Sequence, residues 1–124
     1  MTETTLFFNL FRNKEAKRVA AGDYVFETGD AGDFMYVVIE GEVEILDGST
    51  ALETVGPGSI FGELALIDDE PRSATVVAKT DARLVAVDRR RFEFMVTETP
   101  YFALAVMKVL ADRLRRTNAR IRAN

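Results

Sequence analysis

Between residues 23 and 88 the chain has no room for a long element. Thr28-Gly29-Asp30-Ala31-Gly32-Asp33, Gly41, Asp47-Gly48, Gly56-Pro57-Gly58 and Thr80-Asp81 interrupt it at short intervals. Each of these is a cluster that favours a turn over the interior of a helix or strand. What lies between them has a period of two. Tyr24, Phe26 and Thr28 alternate with Val25 and Glu27, residues 34–40 are strongly β-prone, and Glu42-Val43-Glu44-Ile45 alternates polar with apolar. Asp47-Gly48 signals a hairpin with its return strand at 51–55, and 73–79 and 83–87 supply two more strands. About seven or eight short strands joined at such intervals predict a small sandwich or barrel.

The two ends read differently. Residues 2–20 predict a helix, with Leu6, Phe7, Leu10 and Phe11 on one face, Lys14, Lys17 and Arg18 near its end, and Gly22 as its stop. After the last strand, Asp88 predicts the N-cap of a helix from Arg89 that buries Phe92, Met95 and Val96. Thr99 predicts a second N-cap, Pro100 the first turn of a last helix, and that helix runs to near Arg122. Leu104, Met107, Ala111, Leu114, Asn118 and Ile121 form a heptad-like seam along it. The seam fits either pairing in a homodimer or packing on the chain's own barrel.

Residues 61–76, FGELALIDDEPRSATV, carry the chemistry. Leu64 to Ile67 predict a single helical turn whose first amides are unpaired and positively polarised, which suits an anion. Gly62 lets an anion approach the backbone, and Arg72 presents a planar fork of donors matched to phosphate oxygens. Glu63 is out of place beside an anion unless the ligand also offers a hydroxyl for its carboxylate to accept from. A phosphate and a sugar hydroxyl held by one segment describe a nucleotide.

This segment resembles the phosphate-binding cassette of the cyclic nucleotide-binding domain family, whose pattern runs FGE-[LI]-A, a short link, then PR-[AST]-A-T-V; every fixed position is matched. The turn glycines Gly29, Gly32 and Gly41 also fall where that pattern places them, and the resemblance covers about residues 19–116. It implies a mainly β fold with flanking helices: a jelly-roll-like β-roll (double-stranded β-helix) with one N-terminal helix and two C-terminal helices. The single domain, 1–124, then divides into an N-terminal helical part (1–21), the roll (22–88) and the C-terminal helices (89–122). By the same resemblance Glu63 takes the ribose 2′-hydroxyl and Arg72 the cyclic phosphate. Gly62, the amides of Leu64 and Ala65, and Ser73 complete the cradle. Ile45 and Leu52 match base-facing positions, though both also read as plain core residues. Leu110 and Leu114 are the lid candidates on the last helix. The expected ligand is cAMP, with cGMP second, because a hydroxyl at Ser73 fits either base.

Absences narrow the function. Neither His nor Cys occurs, so Ser–His and Cys–His nucleophiles, disulfides and thiolate metal sites are excluded. A cysteine-free chain suits the cytoplasm. Residues 6–11 lack the basic start and cleavage site of a signal peptide, and no apolar run is long enough to span a bilayer. A metal-dependent jelly-roll enzyme would need ligands that Asp30, Asp33, Asp68 and Asp69, all in turns, do not supply. Charge is lopsided: residues 1–88 hold 7 basic and 17 acidic side chains, residues 89–124 hold 9 and 3. The basic end reads as a helix face complementing an acidic barrel. The alternative is an adaptor for nucleic acid or protein working through Arg113, Arg115, Arg116, Arg120 and Arg122 with an idle cassette. The expectation is therefore a binding module, not an enzyme, with a cyclic nucleotide as ligand, no catalytic cofactor, no membrane or nucleic-acid partner and an unknown protein effector. No helix-turn-helix, kinase or channel segment follows, so a stand-alone sensor or an excised regulatory domain is expected, the initial Met favouring the first.

Overall fold

The computed structural model describes the backbone of residues 2–123 and side chains up to residue 119. Two four-stranded antiparallel sheets face each other. One has the order β1-β8-β3-β6, from Lys17–Val19, Ala82–Asp88, Phe34–Glu40 and Ile60–Phe61. The other has the order β2-β7-β4-β5, from Tyr24–Phe26, Thr75–Ala78, Val43–Asp47 and Thr50–Val55. Among the described residues four helices flank them: α1 (Glu3–Phe11), the short α2 (Leu64–Asp68), α3 (Arg89–Glu98) and α4 (Pro100–Ala123). The architecture is the predicted jelly-roll β-roll with helices at both ends.

β3 is buried on both of its faces. Its run of Phe-Met-Tyr-Val-Val-Ile-Glu is buried at all five central positions. Met35, Val37 and Ile39 point to the helices, where they meet Phe7, Phe11, Phe92 and Phe102. Tyr36 and Val38 point between the sheets, against Val43, Phe61, Val76 and Leu84. A strand with both faces buried reads as a continuous apolar run rather than an alternating one. Phe102 knits the helical layer together, with ring centroids 5.9 Å from Phe7, 6.3 Å from Phe11 and 5.9 Å from Phe92.

One boundary differs from expectation. The helix predicted over residues 2–20 ends at Phe11, and residues 17–19 form β1. The Lys14 N–H closes a turn onto the Phe11 carbonyl at 2.9 Å, and the chain then pairs Lys17, Arg18 and Val19 with Leu84, Arg83 and Ala82. Burying Val19 in the core between the sheets outweighs the local preference for helix. The N-terminal part thus contributes a strand to the roll as well as a helix.

Of the two predicted helix N-caps, Asp88 acts through its side chain and Thr99 does not. Asp88 accepts from the Arg91 N–H at 2.8 Å. Thr99 works through its backbone, its N–H bonding Met95 and its carbonyl accepting from Phe102. α3 and α4 meet there at a bend of 113°. No single helix among the described residues is long and apolar enough to cross a membrane.

Candidate functional site

β6 runs into α2 through Gly62, which holds a φ of 81°. That left-handed backbone is open to glycine at little cost. A Cβ there would come within 2.8 Å of Arg72 Nη1, so the position is doubly restricted. Glu63 follows at 2% exposure, and Arg72 returns beside it at 6%; they are the buried charged residues of the described chain. The first bond inside α2 runs from the Leu66 N–H to the Glu63 carbonyl at 3.1 Å, so the Leu64 and Ala65 amides precede it and have no partner within the helix. Gly32 is not simply a turn residue: a Cβ on it would lie 2.1 Å from that of Ala65, so its bareness lets β3 seat against α2.

Both charges open onto one cavity of about 530 Å³, within the ~300–1,000 Å³ of small-molecule sites. The cassette forms one wall, from Phe61 through Ala65 and from Pro71 through Ala74. Phe26, which lies against the cassette, and Ile45, Leu52 and Val76 give the cavity its apolar lining. Glu53, Arg113, Arg116 and Thr117 close one side. Of the residues expected from sequence, Gly62, Glu63, Leu64, Ala65, Arg72, Ser73, Ile45 and Leu52 line this cavity. Leu110 and Leu114 do not. Leu110 packs against the core beneath the helices, and Leu114 is 61% exposed.

The reason is helical phase. On α4, Phe102, Val106, Val109, Arg113 and Thr117 recur at three or four residues and make one stripe, which leaves the core and continues over the cavity. The predicted seam lies roughly on the opposite face. Leu104, Met107, Ala111, Leu114 and Asn118 are all exposed. The side chains of Ile121, Arg120 and Arg122 lie outside the described residues.

The charge pattern alone puts Arg113 with the outward basic face; the structure turns it inward. Its Nη1 donates to Glu63 Oε1 at 2.6 Å, and its Nε and Nη2 grip Glu53 at 3.0 and 3.2 Å. Nη2 also donates to the Ile60 carbonyl. Burial would pull this guanidinium down, but the carboxylates of Glu63 and Glu53 outweigh it and hold it above the usual arginine range. Arg116 reaches Glu53 at 3.5 Å.

Arg72 has a different setting. Its Nη1 donates to the Gly62 carbonyl at 2.8 Å and its Nη2 to that of Phe34. No carboxylate lies within ion-pair distance among the described residues. Burial holds its pKa below the usual range, against weaker support from Tyr36, Asp33, Glu63 and Asp30. Two buried polar atoms are left without a partner among the described residues: Arg72 Nε and Glu63 Oε2. Orphans of this kind are rare in folded chains and costly. Here they are one donor and one acceptor on the two side chains that line the same cavity. Among the described residues no three carboxylates converge as metal ligands.

The comparisons agree with this geometry. Residues 16–99 match the family model described as a cyclic nucleotide-binding domain. The chain is 38% identical over 102 residues to a CRP-like cAMP-activated global transcriptional regulator of Mycobacterium tuberculosis, covering 78% of this chain and 46% of the relative. In structure it resembles the catabolite activator protein of Thermus thermophilus, with a TM-score of 0.80 at 29% identity over 98% of this chain and 58% of the other. It also resembles the EAL enzyme Bd1971 in its cAMP-bound form, with a TM-score of 0.65 at 37% identity over 85% of this chain and 29% of the other. The chain belongs to the cyclic nucleotide-binding domain family. It spans less than half the length of the curated relatives it matches, 46% in the regulator.

Proposed function

We propose that this chain binds one cyclic nucleotide, cAMP in preference to cGMP, and reports its presence through α4. The observation that carries the reading is the pair of unpartnered atoms, Arg72 Nε and Glu63 Oε2, buried beside one cavity. A cyclic phosphate supplies the acceptor that Nε lacks, and a ribose 2′-hydroxyl supplies the donor that Oε2 lacks. The amides of Leu64 and Ala65 and the Ser73 hydroxyl complete the phosphate cradle. Ile45 and Leu52 flank the base. Arg113, Arg116 and Thr117 take the lid role expected of Leu110 and Leu114. The preference for cAMP is supported by the cAMP-activated regulator; Bd1971, solved in both cAMP- and cGMP-bound forms, supports neither base over the other.

The output follows from Arg113. It ties α4 to Glu63, the residue that would hold the ribose, so a ligand that engages Glu63 changes the contact holding the helix down. A ligand shifts that helix only by its differential affinity for the two positions. The domain is a ligand sensor rather than a catalyst, and its cysteine-free composition fits a cytoplasmic setting. The adaptor alternative loses part of its surface, because Arg113 is tied into the cavity.

Thermal melts test the reading. Ligand at a hundred times its dissociation constant adds ~2.7 kcal/mol, which for a domain of this size raises the melting temperature by roughly 10 °C. We expect that rise with cAMP, a smaller one with cGMP at the same concentration, and none with AMP. A rise with AMP equal to that with cAMP would remove the cyclic phosphate from the account.

The exposed seam on α4 gives the second half of the proposal. Leu104, Met107 and Leu114 are 59%, 58% and 61% exposed on a helix whose other face is already buried. We infer that two chains pair along it, with Asn118 setting the register. Sedimentation equilibrium is expected to return twice the 13.8 kDa chain mass, and Leu114→Glu to return one. A wild-type chain that sediments as a monomer at high micromolar concentration would refute the pairing.

A further inference from the structure

Phe26 lies on β2, and Arg72 returns to it from far along the chain. The guanidinium carbon of Arg72 sits 3.9 Å from the centroid of the Phe26 ring. That is a close cation–π stack. The ring is itself held in an aromatic row. Its centroid is 6.0 Å from that of Phe61 and 6.3 Å from that of Tyr36, and Tyr36 stacks on Phe61 at 5.2 Å and 17°. Gly62 makes the stack possible, since a Cβ there would lie 2.8 Å from Arg72 Nη1 and 3.3 Å from Phe26 Cε2.

The cavity's three arginines are held differently. Arg113 is tied to Glu53 and Glu63, so its charge is neutralised inside the protein, and Arg116 lies at the exposed rim, 3.5 Å from Glu53. Arg72 is fixed by neutral partners alone: two carbonyls on its Nη atoms and an aromatic face beneath. A carboxylate would hold a buried guanidinium more firmly, but it would also cancel the charge a phosphate needs to find there. An aromatic face stabilises the cation through its quadrupole and leaves its formal charge intact.

We propose that Phe26 is the positioning residue for Arg72: it clamps the guanidinium plane so that the Nε–H edge is left for an anionic phosphate group, and so sets affinity for the charged part of the ligand. This rests on the nucleotide reading above. The ring is expected to act through its π face, so another aromatic ring serves and an aliphatic side chain of similar size does not.

The test uses Phe26→Leu and Phe26→Tyr, with Phe26→Met taken where the Leu variant melts below the assay temperature. Without ligand, the Arg72 Nε–H proton resonance is expected upfield of that of a free arginine, because the guanidinium carbon bonded to Nε lies over the ring. It should return toward the free position in Phe26→Leu and stay in Phe26→Tyr. In calorimetric titration with cAMP, Phe26→Leu is expected to bind about tenfold more weakly, and Phe26→Tyr within about twofold of wild type. Wild-type affinity in Phe26→Leu, or an Nε–H resonance that does not move, would overturn the proposal. A Tyr variant as weak as the Leu variant would also overturn it, since ring shape and not the π face would then be at work. If the wild-type chain binds no cyclic nucleotide, the nucleotide reading itself fails and carries the proposed role with it. Wild-type binding with an indifferent Leu variant fails this inference alone.

Discussion

Arg72→Ala is expected to weaken cAMP binding by a hundredfold or more. Truncating one partner of a buried, hydrogen-bonded charge pair costs ~2–5 kcal/mol, or roughly thirty- to several-thousand-fold. Arg72 sits at the upper part of that range because nothing else at the cavity can replace it. Arg113 is held by Glu53 and Glu63, and approaching the phosphate would break those pairs, while Arg116 lies at the exposed rim where solvent screens its charge. The substitution also acts on the fold. It strips the Gly62 and Phe34 carbonyls of their side-chain donor, so the variant should melt below wild type even without ligand. Arg72→Lys separates the two effects. Lysine keeps the charge but loses the planar fork, and it should bind with an intermediate affinity and melt closer to wild type. Titration at a temperature where circular dichroism shows each variant folded gives the comparison. An Arg72→Ala protein that binds within about threefold of wild type would remove Arg72 from the phosphate site.

Arg113→Met is expected to cost about 3–5 kcal/mol of stability, seen as a fall of roughly 10–20 °C in melting temperature. The guanidinium side chain is 18% exposed, and its partners Glu53 and Glu63 are 18% and 3% exposed. Removing it leaves Glu63 buried with no compensating charge and Glu53 with only the more distant, exposed Arg116, and the Ile60 carbonyl loses its donor. Uncompensated charge, not lost packing, accounts for most of the loss, because methionine fills much of the same volume. Adding Glu53→Gln and Glu63→Gln to Arg113→Met should therefore recover most of the melting temperature. The recovered protein should still bind cAMP poorly, since the Glu63→Gln side chain offers an amide carbonyl in place of the charged carboxylate. A single Arg113→Met that melts within about 2 °C of wild type would show that α4 is not held through this residue.

These two side chains are not equally legible in the sequence. Arg72 belongs to a continuous run whose chemistry is local: a glycine, a carboxylate, one helical turn and a guanidinium within residues 61–76. Local spacing is what a sequence displays best, and the strands around it are marked in the same way by turn residues and alternation. Arg113 is fifty residues from Glu63. Its role depends on the rotational phase of α4 against the roll, which the apolar seam misreports. The last helix carries two stripes, and the one with the cleaner heptad spacing, through Leu104, Met107 and Leu114, is the exposed one. The buried stripe holds Phe102, Val106 and Val109 and then changes to Arg113 and Thr117 where it leaves the core for the cavity. A stripe that turns polar midway looks like the end of a buried face, so the apolar Leu110 and Leu114 stand out as the lid instead. β1 is hidden for a related reason. Three residues, Lys-Arg-Val, carry almost no strand signal, and their pairing with β8 comes from chain more than sixty residues away. Phe26 looks like one more alternating strand residue, and only the fold puts it under Arg72.

The central claim is that this cavity takes a nucleotide by a single cyclic phosphate and a ribose hydroxyl. Its most direct test is a calorimetric titration of cAMP into the wild-type chain, repeated with 2′-deoxy-cAMP and with AMP. The account predicts saturable binding of one cAMP per chain. It predicts weaker binding of the 2′-deoxy form, which leaves Glu63 Oε2 without its hydroxyl, and weaker binding still of AMP, whose second phosphate charge meets a site with one uncommitted arginine. No heat of binding from cAMP at millimolar concentration would contradict it, as would equal affinity for all three.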